Sequence, residues 1–260
     1  MPGGDSDARP DAGRRPIRLI ARLVIGADGL RSVVARRTGA LEATAHAHYT
    51  VGAHFEHLQV LEPRGDLHLG EGWYAGAALY GNGAGNVVVA LPRTSFPQAG
   101  GDPEAAFTRA CASLPVLRQI MRGARRISPF VSVGPLGYTR RRAVDEGILL
   151  VGDAAATINP MTGEGIFLAL RGAELAAEVA DRALRQGATS RRALGVYERA
   201  RSATFRDTWM ASRLLQWIIR RPALASFLFR RLADDPRLAS KLLGVVSDLG
   251  PAGAARPAGF

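Results

Sequence analysis

An apolar run in the second half of the chain ends in a glycine and an aspartate, a pair that can bind a polar ligand. Residues 147–152 read GILLVG, and this short, fully apolar run predicts a strand buried in a parallel sheet. Gly152 and Asp153 then lie at the carboxyl end of the strand, where open α/β sheets bind ligands. The Asp153 carboxylate can accept hydrogen bonds from the vicinal hydroxyls of a ribose or ribityl chain. The alternative is that Asp153 only caps a helix.

The glycine-containing turn that follows has the composition of a binding site for a flat ring. Residues 159–165 read NPMTGEG, and the two glycines would let a ring approach the backbone closely. Pro160 would add a rigid apolar edge. A carboxylate at Glu164 is also explained by the helix dipole alone. The candidate contacts in the turn are Pro160, Thr162, Gly163, Glu164 and Gly165.

A helix is predicted over residues 163–186 and opens within that turn. Its N terminus offers unpaired N–H groups and a partial positive charge, which can stabilise negative charge on a reduced ring. Its small and apolar residues are expected to lie on one face, close to a sheet: Ile166, Ala169, Leu170, Ala173, Ala177, Ala180 and Leu184.

A similar segment lies near the start of the chain. Residues 17–26 (IRLIARLVIG) are β-branched and aliphatic and predict a strand, and residues 27–37 predict a turn and then a helix. Asp28 and Gly29 come directly after the strand. Asp28 could accept N–H or hydroxyl donors, and Arg31 could bind phosphates.

The residues between these segments predict a β-rich unit. Residues 44–95 alternate short β-like runs with glycine turns, which is typical of antiparallel hairpins, and turn pairs are expected at Asn82-Gly83 and Gly85-Asn86. Residues 103–123 predict helix, interrupted at Pro115 because proline breaks a helix interior. Three aromatic residues of this unit either line a substrate cavity or stabilise the sheet: Trp73, Tyr74 and Tyr80.

Both motifs resemble those of one family of flavoproteins. GADGLRSVVAR (residues 26–36) is similar to the GADGxxSxVR pattern of monooxygenases of the p-hydroxybenzoate hydroxylase type, with Ala35 in place of the final arginine. GDAAATINPMTGEGIFLAL is similar to the second FAD motif of that superfamily. Its NP-x-TGEGI form is closest to the geranylgeranyl reductase branch.

The resemblance implies an α/β (α+β) fold organised around FAD. Residues 17–40 and 143–189 would form a partial Rossmann-like FAD-binding domain, and residues 41–142 an inserted antiparallel β-sheet substrate domain. Residues 190–260 would form a C-terminal helical region, and residues 1–16 a disordered tail.

The same resemblance implies the roles of the candidate residues. Asp28, Gly29 and Arg31 would lie near the FAD pyrophosphate, and Gly152 and Asp153 near the ribityl and phosphate region. The turn from Pro160 to Gly165 would lie along the isoalloxazine ring. NAD(P)H would supply electrons for a hydrophobic small-molecule substrate. The implied activity is reduction of an isoprenoid or polyketide-like molecule, or an NAD(P)H-dependent monooxygenation, and no side chain in the sequence separates the two.

The GxGxxG motif with which such proteins begin has no counterpart in this sequence. Pro2-Gly3-Gly4 follows no strand, and GNGAG at residues 81–85 leads into another strand, which indicates a hairpin. We therefore expect an N-terminally truncated chain, or one whose dinucleotide half comes from a partner chain. The alternative is a non-catalytic fragment or interaction module that needs such a partner.

The net charge of +11 comes almost entirely from arginine, since Lys241 is the only lysine. No zinc finger, RNP or KH motif accompanies the charge, so nucleic acid is not expected as a partner. Residues 199–241 carry nine arginines and one lysine against three aspartates. They predict either an amphipathic helix pair that covers the core or a peripheral membrane contact that receives lipid-like substrates.

The remaining composition excludes several kinds of site. The single cysteine, Cys111, rules out an internal disulfide and any CxxC motif, and its helical flanks predict a buried thiol. The five histidines lack the cysteine and carboxylate neighbours of a metal site. There is no run of about 18 apolar residues and no signal-peptide core. A cytoplasmic location is expected, peripheral to the membrane if the basic helices bind there.

Overall fold

The computed structural model describes residues 17–39, 48–97, 100–136, 139–140, 142–237 and 239–240. The chain has the mixed α/β fold that was predicted, in which an antiparallel sheet, a short sheet with parallel pairing and several helices pack together.

The short sheet joins the two glycine–aspartate segments. Strand β1 (Val24–Gly26) pairs in parallel with β10 (Ile148–Leu150), and β9 (Val144–Asp145) pairs antiparallel to β10. Helix α1 (Val33–Arg37) follows β1. The strand predicted over residues 17–26 is much shorter than expected, because β10 is itself short and gives pairing partners only to the last three residues.

The antiparallel sheet is built from hairpins. Its strands are β2 (His48–Glu56), β3 (Pro63–Gly70), β4 (Trp73–Gly81), β5 (Ala84–Pro92), β6 (Arg125–Arg126) and β7 (Val131–Leu136). Within the described residues the strand order is β3-β4-β5-β2-β6, and β7 also pairs with β2. Two further short strands, β8 (Thr139–Arg140) and β11 (Ala156–Thr157), pair with each other.

One of the two predicted turn pairs is present and the other is wrong. Asn82 and Gly83 join β4 to β5 with φ angles of +51° and +80°, as a tight hairpin requires. Gly85 and Asn86 instead lie inside β5, because both residues pair with β4 on one side and with β2 on the other.

Successive side chains along each strand point to opposite sides of this sheet, which gives it a core face and an open face. The core face packs against helices α2 (Pro103–Ser113) and α3 (Pro115–Ile120), which are separated at Pro115 as predicted. Phe107 of α2 stacks on Phe55 of β2 at 5.6 Å between ring centroids. The open face carries polar side chains at Thr50, His54 and Asn86, and small or apolar ones at Gly52, Leu67, Gly76, Ala78, Val88, Val131 and Val133.

The C-terminal helices are α4 (Gly165–Gln186), α5 (Arg191–Thr204), α6 (Arg206–Ile219) and α7 (Pro222–Asp234). No helix in the described ranges is both long and apolar enough to cross a membrane.

The predicted packing face of α4 is largely wrong. The buried row is Gly172, Ala176, Ala180 and Ala183, of which only Ala180 was in the predicted set. Ile166 and Leu170 point outwards and are 77% and 65% exposed. The small residues let α5 approach α4, and the hydroxyl of Tyr197 on α5 donates to the Leu150 carbonyl at 2.9 Å.

Candidate functional site

The two glycine–aspartate segments leave the sheet side by side. The Val151 N–H donates to the Gly26 carbonyl at 2.9 Å, which extends the β1–β10 pairing to the point where both strands end. Asp28 lies two residues after Gly26, and Asp153 lies two residues after Val151. The structure therefore brings both motifs to one edge of the short sheet.

Asp28 is held by the start of helix α1. Its Oδ2 accepts the N–H groups of Val33 at 2.7 Å and Val34 at 3.5 Å. Desolvation acts to raise the pKa of Asp28, but hydrogen bonds from Ser32 and Val33 outweigh it, so the pKa lies below the usual value. Ser32 itself caps the helix by accepting the Ala35 N–H at 2.9 Å.

Gly29 and Arg31 complete the first segment. Gly29 has a φ of +74°, and its carbonyl accepts the Ser32 N–H at 3.0 Å, which closes a tight turn. Arg31 is exposed beside this turn.

Gly152 is required both by backbone conformation and by packing. Its φ is +59°, and a Cβ atom at this position would lie 3.2 Å from the Cβ of Ala169 on α4. Asp153 follows in a 3₁₀ turn and is exposed. Both residues line a small opening, called here the Asp153 cavity, which also reaches Gly165 at the start of α4.

The far wall of the Asp153 cavity comes from residues that the sequence analysis missed. They are Arg201 and Phe205, around the end of α5, and Trp209 of α6. Arg201 is only 4% exposed, and its guanidinium carbon lies 5.0 Å from the centroid of the Trp209 ring. The spacing of residues in α5 could have identified Arg201. Leu194, Tyr197 and Arg201 form the buried row of this helix, so an arginine occupies a position where the helical repeat predicts an apolar residue.

The turn before α4 is anchored by Asn159, which is 2% exposed. Its Oδ1 accepts the Met161 N–H at 3.1 Å and the Tyr74 hydroxyl at 2.6 Å. Residues Pro160–Thr162 then form a 3₁₀ turn, which ends at Gly163 with a φ of +73°. The turn is therefore tied at its start to the antiparallel sheet.

The glycines of this turn leave room for a ring. A Cβ atom on Gly163 or Gly165 would meet no atom of the described residues within 4 Å. Gly165 begins α4, whose first N–H groups have no partner within the helix. Glu164 is buried at the N-cap position, and Pro160 is exposed. Open space above glycines at a helix N terminus fits the edge of a flat, electron-accepting ring.

A second opening, called here the Tyr74 cleft, lies between the sheet, the turn and α6. It is lined by His48, Gly72, Trp73, Tyr74, Asn159, Met161, Gln216, Ile219 and Arg220. Trp73 and Tyr74 thus line a cavity, whereas Tyr80 is 56% exposed and its hydroxyl lies 3.4 Å from Nδ1 of His54. Burial raises the pKa of Tyr74 well above its usual range.

The described residues contain no cluster of histidine, cysteine, aspartate or glutamate that could hold a metal ion. His46 lies outside the described residues.

Comparison with known proteins defines the class of protein. The profile of the family described as FAD binding domain matches residues 7–212, so the chain belongs to that family, whose members are FAD-dependent oxidoreductases and monooxygenases. The resemblance drawn from the two motifs is thereby confirmed.

The curated relatives are more specific. Digeranylgeranylglycerophospholipid reductase 1 of Methanothermobacter thermautotrophicus is 31% identical over 185 residues, which cover 69% of this chain and 45% of the relative. Digeranylgeranylglycerophospholipid reductase 1 of Methanopyrus kandleri is 30% identical over 210 residues, which cover 74% of this chain and 52% of the relative. The chain spans about half the length of these curated relatives.

Solved structures share the fold. A geranylgeranyl bacteriochlorophyll reductase-like protein from Thermoplasma acidophilum has a TM-score of 0.64 at 19% identity, covering 86% of this chain and 62% of that chain. The flavin-dependent brominase Bmp2 has a TM-score of 0.72 at 15% identity, covering 88% of this chain and 58% of that chain. At these identities the match establishes the fold alone.

Proposed function

We propose that this chain is the flavin- and substrate-facing part of an FAD-dependent reductase that acts on an isoprenoid lipid. The observation that carries the proposal is the position of the Tyr74 cleft, which shares Asn159 and Met161 with the glycine turn at the start of α4. A substrate in the cleft would lie next to the place where a flavin ring fits. The similarity to reductases of geranylgeranyl lipids supports the substrate class.

The residues that would hold FAD follow from the two motifs. Gly152 and Asp153 would contact the ribityl chain, the turn from Pro160 to Gly165 would contact the ring, and Gly29 and Arg31 would lie towards the pyrophosphate. Asp28 would act mainly by shaping this segment, since its carboxylate already accepts N–H groups of α1. FAD, when bound, supplies hydride transfer, with NAD(P)H as the proposed source of electrons.

The protein's own contribution would be orientation, electrostatics and exclusion of water. The N terminus of α4 would stabilise negative charge that develops on the ring. Tyr74 would keep its proton well into the alkaline range, because burial raises its pKa, and its hydroxyl would continue to orient Asn159. Trp73, Ile219 and the aliphatic part of Met161 would keep water away from the reacting part of the substrate.

The open face of the antiparallel sheet supports an elongated apolar substrate. Leu67, Val131 and Val133 are 46%, 62% and 42% exposed on this face. Glycine and alanine at neighbouring positions, such as Gly76 and Ala78, keep its centre shallow. Exposed apolar side chains on a sheet face are a feature of ligand-binding surfaces. An isoprenoid chain could lie along it with one end in the Tyr74 cleft.

A partner polypeptide that supplies the dinucleotide half remains part of the proposal. Ile17, Leu19 and Ile20 are 86%, 88% and 89% exposed, and Val24 and Ile25 of β1 are 43% and 49% exposed. Among the described strands, β1 pairs with β10 on one side only. This apolar edge could accept a further strand. Without such a partner, the alternative is a non-catalytic fragment or interaction module.

The first experiment is a titration of the purified chain with FAD, followed by flavin fluorescence. We expect saturable binding that Asp153→Ala weakens and that Asp181→Ala, an exposed change on α4, leaves unaltered. A folded chain that binds no FAD would contradict the proposal for the chain alone. Coexpression with a polypeptide that carries a GxGxxG motif would then test whether a partner restores binding.

Turnover distinguishes reduction from hydroxylation. With FAD bound, NAD(P)H oxidation would be measured in the presence of geranylgeraniol, with and without dioxygen. A reductase consumes NAD(P)H anaerobically and saturates a double bond of the lipid. A monooxygenase requires dioxygen, and that outcome would contradict the reductase proposal.

A further inference from the structure

Helix α6 exposes three large apolar side chains on one side, although Ile219 on the same helix is buried. Met210, Leu214 and Trp217 are 62%, 58% and 44% exposed, whereas Thr208 and Ser212 are buried. The spacing of four and then three residues places the three exposed side chains in one stripe along the helix, called here the α6 outer face. A surface helix usually exposes polar side chains, so this apolar stripe has the character of a contact surface.

Arginines border the α6 outer face. Arg206 and Arg213 are exposed one turn away from Met210 and Trp217. The guanidinium carbon of Arg221 lies 3.9 Å from the centroid of the Trp217 ring.

Helix α7 continues the same pattern. Phe227 is 59% exposed, and the guanidinium carbon of Arg231 lies 5.9 Å from its ring centroid. Arg230 is also exposed. Residues 206–234 contain six arginines and two aspartates, which is a net charge of +4.

We propose that the α6 outer face, together with Phe227, binds the surface of an anionic lipid bilayer. Tryptophan, leucine and phenylalanine favour the boundary between head groups and acyl chains, and bordering arginines favour anionic head groups. A second copy of this chain is disfavoured as the occupant, because pairing through this surface would bring two sets of arginines together. The charge and the apolar stripe thus favour the same occupant.

The position of the surface suggests a route for substrate. Gln216, Ile219 and Arg220 line the Tyr74 cleft from the adjoining side of α6. A lipid could therefore move from the bilayer into the cleft along one helix, with a short path through water. This route rests on the proposed function, whereas the membrane contact itself does not.

The test uses the full chain without flavin or substrate. Binding is measured by cosedimentation with vesicles of about three parts phosphatidylcholine to one part phosphatidylglycerol, and with vesicles of phosphatidylcholine alone. We expect binding to the anionic vesicles, a blue shift of tryptophan fluorescence, and weakening by added salt. The triple variant Met210→Ser, Leu214→Ser, Trp217→Ser should reduce binding about tenfold or more.

Two further variants make the test specific. Leu61→Ser removes an apolar side chain that is 82% exposed elsewhere, and should bind like the wild type. The double variant Arg206→Glu, Arg213→Glu should reduce binding to anionic vesicles. If circular dichroism shows that the triple variant is unfolded, this double variant tests the membrane contact in its place, and unchanged binding would contradict the proposal.

Three outcomes would overturn the proposal: no binding of the wild type to anionic vesicles, equal binding by the folded triple variant, or self-association through α6 in place of vesicle binding. Because these assays contain no FAD, their failure is distinguishable from failure of the proposed function.

Discussion

The Tyr74 hydroxyl donates a hydrogen bond of 2.6 Å to Asn159 Oδ1, and this contact joins the antiparallel sheet to the turn at the start of α4. The same oxygen accepts the Met161 N–H, so one side chain holds both the sheet and the turn. The raised pKa of Tyr74 keeps the hydroxyl protonated, and therefore a donor, through the neutral and mildly alkaline range. We infer that Tyr74 is a positioning residue for the glycine turn.

Tyr74→Phe removes this hydroxyl and keeps the ring. We expect faster hydrogen exchange at the Met161 amide, and FAD binding weaker by about fivefold, as for the loss of one neutral hydrogen bond. Tyr80→Phe is the matched control, since Tyr80 lies on the same strand and is largely exposed. Exchange is measured by mass spectrometry on the free chain. Unchanged exchange around Met161 would show that Tyr74 does not hold the turn.

Gly152→Ala should destabilise the fold by about 1–3 kcal/mol, because an alanine is strained at positive φ and its Cβ would press on Ala169. The free energy of unfolding is obtained from urea titration. Gly65→Ala is the control: its φ is not positive, and a Cβ atom there would meet none of the described atoms within 4 Å. Equal stability of the two variants would contradict the conformational role of Gly152.

Asp28→Ala should cost about 1 kcal/mol of stability, which is typical for loss of a side chain that accepts N–H groups at a helix start. The pKa of Asp28 in the folded protein is lowered from the usual 3.8. The stability that the ionised carboxylate contributes is therefore present above pH 3.8 and is lost as the pH falls through the lower, folded-state pKa. Urea titrations between neutral and acid pH measure this difference. Asp181→Ala, which breaks an exposed pair with Arg185, should have a smaller effect. An Asp28→Ala protein of unchanged stability but weaker FAD binding would instead make Asp28 a direct cofactor contact.

Cys111 should be unreactive in the folded protein. It is 5% exposed, and burial raises its pKa from 9.0 to about 12, which lowers the thiolate fraction near neutral pH about a thousandfold. Iodoacetamide labelling should therefore be slow in buffer and rapid in urea.

The same shift predicts a loss of stability in alkali. The stabilising contribution of the protonated Cys111 thiol is present below pH 9 and is lost as the pH rises through about 12. Cys111→Ala should flatten that part of the pH profile of stability. Labelling at equal rates in buffer and urea would contradict a buried thiol.

The backbone conformation of the two motifs and the class of fold could be predicted from the sequence. An apolar strand, a glycine turn and a helix start are set by residues close together in the chain, so they could be read directly. Gly29, Gly152 and Gly163 all adopt the positive φ that their turns require. The hairpin at Asn82-Gly83 and the helix break at Pro115 were predicted for the same reason.

Contacts between distant residues could not be predicted in this way, because they depend on how the elements pack. Tyr74 and Asn159 are 85 positions apart, and nothing local indicates that they share a hydrogen bond. Arg201 enters the wall of the Asp153 cavity because α5 packs against α4. Periodicity identifies an apolar helix face but does not say whether the protein buries it. Burial depends on what the rest of the chain places against that face. For this reason the apolar stripe of α6 is exposed, and α4 buries a different row of residues from the predicted one.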